Sequence, residues 1–194
     1  MKTQHIALIV TLGIAVLSAG CNKEVVKYGD ARGVETVTNE FGSTDLQMIA
    51  ETMTRSMLGA PVVAAGNQPI VTVQEVRNKT SEYIDTRSIT DSIRAELQKS
   101  GRVRFAVDST ALAQQKEEIN RQQDAEYYAK EKAAQKSRMV GAAFRLEGNI
   151  VSIVKQAKDE KDVYYKFNLQ LWNIESGLLE WSDEKEIRKR TTKG

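Results

Sequence analysis

Apolar and polar positions divide this chain into stretches of different period. Residues 6–17 are almost continuously apolar, broken only by Thr11 and Gly13, and they follow a basic start at Lys2. The run is shorter than the about 20 apolar residues that a membrane span needs. Ser18, Ala19 and Gly20 come next, the small-residue pattern at the cleavage end of an export signal. Residues 22–42 then keep no sustained period and mix Lys, Glu, Asp, Gly and Thr with isolated valines. A flexible tether is expected there, spanning about 25 Å as a coil and roughly 70 Å fully extended.

Helical spacing begins after it. Ser43-Thr44-Asp45 offers a cap, with Thr44 and Gln47 at capping-box spacing. Leu46, Ile49, Ala50, Met53, Met57 and Leu58 fall on one stripe, its methionines expected in the core, and Gly59 and Pro61 end the helix. Residues 70–76 are apolar and β-branched, which predicts a buried strand. The polar loop 77–85 leaves the end of that strand; such loops carry binding residues on many scaffolds, and the same composition suits a solvated turn. Thr86 is placed to cap a second helix with an Ile89, Ile93, Leu97 ridge, ended by Ser100-Gly101. Val103, Phe105 and Val107 then alternate with Arg102, Arg104 and Ala106 as a half-buried strand. From Asp108 a long helix is expected through about Arg138, anchored only by Leu112 and Ile119. Its second half is polar all round, so Tyr127 and Tyr128 either rest on the domain or touch a partner.

The last third reads as strand. Residues 143–154 form one, bent at Gly148, and 158–162 the turn. Val163, Tyr165, Phe167, Leu169 and Leu171 then alternate with polar or outward positions. Residues 174–177 make a tight turn, and 178–182 pair back antiparallel, bringing Trp181 near Trp172 only if the register allows it; the meander ending in these tryptophans is expected to close the core. The basic stretch 185–193 reads as a frayed, solvated end or as a membrane or partner contact. The expected fold is α/β (α+β): a mixed β-sheet flanked by helices, with a C-terminal three-strand antiparallel meander. The boundaries follow as 1–20 signal, 21–42 tether and 43–194 a single domain.

Composition removes most chemistry. The only histidine, His5, lies in the signal, and Cys21 is the only cysteine. A Cys/His zinc site, a Ser-His-Asp triad and a Cys-His pair are therefore excluded from the mature part. Carboxylate pairs, Ser-Lys nucleophiles and all-oxygen metal sites have no recognisable spacing, and Asp159, Glu160 and Lys161 read as a turn. No catalytic residue, metal site or cofactor is expected. Lys and Arg number 28 against 26 Asp and Glu, so there is no basic face of the kind nucleic acid requires. Cys21, directly after the small residues, reads either as a free exported thiol or as a lipid-attachment point.

Ser18-Ala19-Gly20-Cys21 resembles the lipobox of bacterial lipoproteins, whose cysteine becomes the acylated first residue, although Leu17 stands four places before it where the usual leucine stands three. The folded part is similar to the LpoB family. The likeness is carried by Met57-Leu58-Gly59, Val76-Arg77-Asn78-Lys79-Thr80, Leu97-Gln98-Lys99-Ser100-Gly101, Phe144-Arg145-Leu146-Glu147-Gly148 and the segment from Leu169-Gln170-Leu171-Trp172 to Leu179-Glu180-Trp181-Ser182. The curli-secretion lipoprotein CsgG and the TolB N-terminal domain share that scaffold. The resemblance implies a TolB N-terminal-domain-like fold and no enzymatic activity or small-molecule substrate. It also implies an outer-membrane lipoprotein activator whose partner is the regulatory domain of a class A penicillin-binding protein. Asn22 after Cys21 implies sorting to the periplasmic face of the outer membrane. Familiar members have a long proline-rich linker, whereas this chain has only Pro61 and Pro69. Because Arg and Tyr are enriched at binding hot spots, Arg77, Asn78, Lys79 and Tyr83 are the expected contact residues, with Tyr127 and Tyr128 as competitors. The alternative is a non-catalytic assembly or secretion accessory lipoprotein of the curli type.

Overall fold

The computed structural model describes residues 26–192 apart from 36 and 125. The export signal and Cys21 lie outside the described residues. Residues 26–33 form a unit of their own, a turn in which the N–H groups of Arg32 and Gly33 donate to Asp30.

The core forms where apolar stripes of two helices meet one face of the sheet. The first helix, α1 (Ser43–Gly59), buries Ile49, Ala50, Met53 and Met57, so its methionines are core side chains. A short helix α2 (Pro61–Ala64) follows. The third, α3 (Thr86–Lys99), contributes Ile89, Ile93 and Leu97. The sheet holds β1 (Ile70–Val73), β2 (Arg77–Lys79), β3 (Arg104–Phe105), β4 (Phe144–Gln156), β5 (Glu160–Asn173) and β6 (Leu179–Thr192). Its order is β3-β1-β4-β5-β6, with β2 also beside β4. The first strands are parallel to β4 and the last three form the expected antiparallel meander. Val163, Tyr165, Phe167, Leu169 and Leu171 are all fully buried, as their alternation requires.

Gly148 lies within β4, opposite Leu169, and the ladder from Phe144 to Gln156 runs through it without a register shift. A Cβ there would collide with the carbonyl oxygen of Asn168, so the glycine permits close strand approach. Gly148→Ala is expected to lower stability by about 2 kcal/mol or more, as overpacking against backbone does. A fall in the urea midpoint, relative to Gly59→Ala where the added Cβ meets nothing, checks it.

Several boundaries differ from the sequence reading. Helix α1 is capped at Gly42, whose N–H donates to Asp45 at 2.8 Å; Thr44 instead accepts from the Glu35 N–H at 2.7 Å, so the Thr44–Gln47 capping box does not form. Helix α3 is capped by Asp85, and Thr86 donates its hydroxyl to the Val76 carbonyl at 2.7 Å. The fourth helix, α4 (Ser109–Gln122), stops well short of Arg138. Its continuation offers no apolar stripe to bury, and packing of such a stripe supplies most helical stability in proteins.

The basic stretch from Lys185 is ordered strand. β6 pairs with β5 as far as Thr192 opposite Glu160, because Ile187 enters the core and Lys189 reaches the buried Asp45 at 2.5 Å. The two tryptophans lie on opposite faces. Trp181 pairs with core-facing Leu171 and donates its indole N–H to Ser56 of α1 at 3.2 Å, whereas Trp172 points away from the core with the next residue's parity.

The segment before α1 is irregular but bonded to the domain. The Glu35 carboxylate accepts from the Ser43 N–H at 2.8 Å. The Phe41 N–H donates to Glu82 at 2.9 Å, and the same carboxylate accepts the buried Tyr165 hydroxyl at 2.5 Å. The Phe41 ring meets that of Tyr165 edge-on at 5.8 Å, and Lys189 donates to the Glu40 carbonyl at 2.6 Å.

Candidate functional site

Between β1 and β2 the chain carries one residue more than the strand it follows. Val73 pairs with Leu146 and Arg77 with Asn149, so Gln74, Glu75 and Val76 oppose only Glu147 and Gly148. This is a bulge, a device that redirects side chains at functional edges. Val76 turns into the core, while Gln74 and Glu75 stay on the rim. Arg77 and Lys79 pair with Asn149 and Val151, and so lie on the sheet face opposite to buried Ile150. Together with Glu147, Asn149 and Gln170 these side chains line a polar groove of about 340 Å³. Both signs of charge line it, which suits a polar partner surface better than a small apolar ligand.

The loop beyond the groove is pre-formed. Asn78 accepts from the Thr80 N–H at 2.9 Å and donates to the Glu82 carbonyl at 2.8 Å, closing a tight turn. Tyr83 then projects almost fully into solvent, 96% exposed. Arg77 and Lys79 share the groove, whereas Asn78 has the opposite parity, paired with Ile150, and shapes the loop that presents Tyr83. The reading of 77–85 as wholly loop is corrected, since its first three residues are strand β2.

Tyr127 and Tyr128 belong to a different local structure. Arg121 of α4 stacks 5.5 Å from the Tyr128 ring and donates to its hydroxyl at 2.6 Å, so Tyr128 rests against the last turn of that helix; Tyr127 is exposed. Among the described residues no hydrogen bond, ion pair or ring contact joins either tyrosine to the 77–83 loop. The groove residues Gln74, Glu75, Glu147 and Gln170 escaped the sequence reading. The only available signal was the outward parity of Glu147 and Gln170 in their strands.

A second cavity of about 280 Å³ lies where α3 and α4 begin, lined by residues that include Arg87, Arg94 and Asp108. Arg94 bridges Asp91 at 3.2 Å and Asp108 at 3.5 Å. The N–H of Ala111, followed by the guanidinium of Arg94, holds the Asp108 carboxyl below its ordinary value. At the opposite extreme, burial and the Glu82 carboxylate push the Tyr165 hydroxyl well above the usual phenol range, keeping it a donor. Neither arrangement presents a nucleophile beside a base. Among the described residues no group of three or more His, Cys, Asp or Glu side chains converges as metal binding requires, and no helix is long and apolar enough to cross a membrane.

A family model described as "Peptidoglycan-synthase activator LpoB" matches residues 45–187. The chain belongs to the LpoB family. That family is one of regulatory activators rather than of catalysts, and membership implies a peptidoglycan-synthase activator role. The mixed sheet flanked by helices with C-terminal antiparallel strands, expected from the sequence, is the one observed. Solved structures similar to the chain include the LpoB C-terminal domain from Escherichia coli, at 17% identity over 74% of this chain and 98% of that one, with a TM-score of 0.47. The corresponding domain from Salmonella enterica gives 17% identity over the same shares and a TM-score of 0.46. Lipoprotein GNA1162 from Neisseria meningitidis gives 16% identity over 63% and 83%, with a TM-score of 0.38. A search of curated proteins found no match.

Proposed function

We propose that this LpoB-family chain is an outer-membrane lipoprotein, acylated at Cys21 and facing the periplasm, that binds the regulatory domain of a bifunctional class A penicillin-binding protein and raises its activity by contact alone. The family match over residues 45–187 carries the reading. The groove at the β1–β2 bulge and the exposed Tyr83 supply a contact face to go with it. An activator without catalytic groups works by favouring one conformation of its partner, and about 1 to 3 kcal/mol of differential binding gives a 5- to 150-fold effect. An interface built on a few anchors is enough for that.

Buried acyl carbons contribute about 0.8 kcal/mol each, so several chains make a stable anchor. Cys21→Ser is expected to shift the protein from the outer-membrane fraction to a soluble or unprocessed form. A mature Cys21→Ser chain that still fractionates with the outer membrane would show that the cysteine is not the anchor.

The partner claim is tested by titrating the protein against the class A synthase of the same cell. Truncation at a hot spot typically costs at least about 2 kcal/mol, roughly a 30-fold loss. Tyr83→Ala and Arg77→Ala are expected to weaken binding by about 10- to 30-fold with the circular dichroism spectrum unchanged. Arg55→Ala, exposed on α1 beneath the other sheet face, should leave binding as it was. Equal affinity for all three variants would remove the contact face from the proposal.

A further inference from the structure

Strand β6 ends the sheet order, and among the described residues no strand pairs with its outer edge. Sheet edges are normally blunted with charge so that copies do not add to one another. On the face of β6 away from the core, however, the charges are sorted by sign along the strand: Glu184 and Glu186 come first, Arg188 and Arg190 second. A row sorted this way is its own complement once it is reversed.

We propose that β6 is the surface through which two copies of this chain pair, antiparallel and about a two-fold axis at Ile187. In that register Glu186 faces Arg188 of the second copy and Glu184 faces its Arg190, and symmetry repeats both pairs. Opposite charges directly across strands stabilise the pairing, and like charges oppose it. Sliding by two residues in either direction centres the axis on Glu186 or on Arg188 and sets that residue against itself, so the charges select a single register. All four side chains are exposed, Glu184 at 45% although it already bridges Lys166 of β5 at 2.5 Å. Arg188 and Arg190 already touch Asp162 and Glu160 within the chain, yet their side chains remain 62% and 60% exposed, and a guanidinium has five donors to divide between two carboxylates. On the core face Lys189 comes opposite Lys185 of the second copy. The positive charge of Lys189 is already held by Asp45 at 2.5 Å, which relieves that repulsion.

The same register puts Ser182 opposite Thr192 of the second copy, while two Ser182 residues are ten positions apart along the strands, about 33 Å. The test uses the full chain carrying Cys21→Ser, so that introduced thiols are the only ones. Ser182→Cys protein is mixed with Thr192→Cys protein under mild oxidation. The expected result is a disulfide-linked dimer in the mixture at least tenfold above that formed by either variant alone, since bridging needs Cα atoms within about 7 Å. In sedimentation, Glu184→Lys/Glu186→Lys should shift the chain from dimer to monomer while circular dichroism shows it folded. A chain that is monomeric at several hundred micromolar, or variants that cross-link as well alone as in the mixture, would overturn the proposal.

Discussion

Leu169→Asp is expected to unfold the domain, whereas Gln170→Lys, one residue along the same strand, is expected to be nearly silent. Leu169 is fully buried, in the middle of the longest alternating run of the sheet. Replacing it removes a core side chain, at about 2 to 5 kcal/mol, and strands a carboxylate in an apolar setting with no partner. The combined loss exceeds about 4 kcal/mol, comparable with the whole stability of a small domain. Gln170 points the other way, opposite Glu147, so a lysine there gains an opposite charge and should change stability by about 0.5 kcal/mol. Urea unfolding followed by circular dichroism separates the two. Equal sensitivity would contradict the half-buried assignment of β5.

A second large effect is expected at Lys189, in a stretch whose sequence looks like a solvated basic end. Its ammonium lies 2.5 Å from the Asp45 carboxylate, which is 1% exposed. Breaking a buried ion pair by removing one partner costs about 3 to 5 kcal/mol, because the remaining charge is left uncompensated. Lys189→Met should therefore destabilise by that amount, and Lys189→Met/Asp45→Asn should recover a good part of it. Lys185→Met, on the same strand, serves as the control for charge alone. Thermal melts of the wild type, Lys189→Met, Asp45→Asn and the double variant measure the coupling, and a loss under about 1 kcal/mol for Lys189→Met would show that the pair does not hold β6 to α1.

These two sites also show what the residues reveal before folding. The β5 run was legible because ten positions keep strict alternation, and the α1 and α3 stripes because their apolar residues recur at helical spacing. The second half of β6 was not, since Ile187 is its single apolar inward residue and the rest of its holding force comes from backbone pairing and from Asp45, over a hundred residues away. The early end of α4 was hidden for the converse reason. Gln, Glu, Lys and Ala favour helix locally, but nothing there gives a helix a face to bury.

The candidate site divides the same way. Arg77, Lys79 and Tyr83 were visible as a polar segment leaving a buried strand. The opposite wall of the groove, Glu147 and Gln170, depends on strand register and on a one-residue bulge, and neither can be read from local pattern. The segment before α1 is attached through Glu82, Tyr165 and Lys189, all distant in sequence, and none of them carries a local signal of that role.

The proposed activation of a peptidoglycan synthase by contact alone can be read directly from the synthase itself. The most direct measurement is the rate of glycan-chain formation by the purified class A penicillin-binding protein of the same cell, with and without this protein. A rise of at least about fivefold, saturating as binding saturates and largely lost with Arg77→Ala or Tyr83→Ala, is the predicted result. An unchanged rate at saturating concentrations of the folded protein would contradict it.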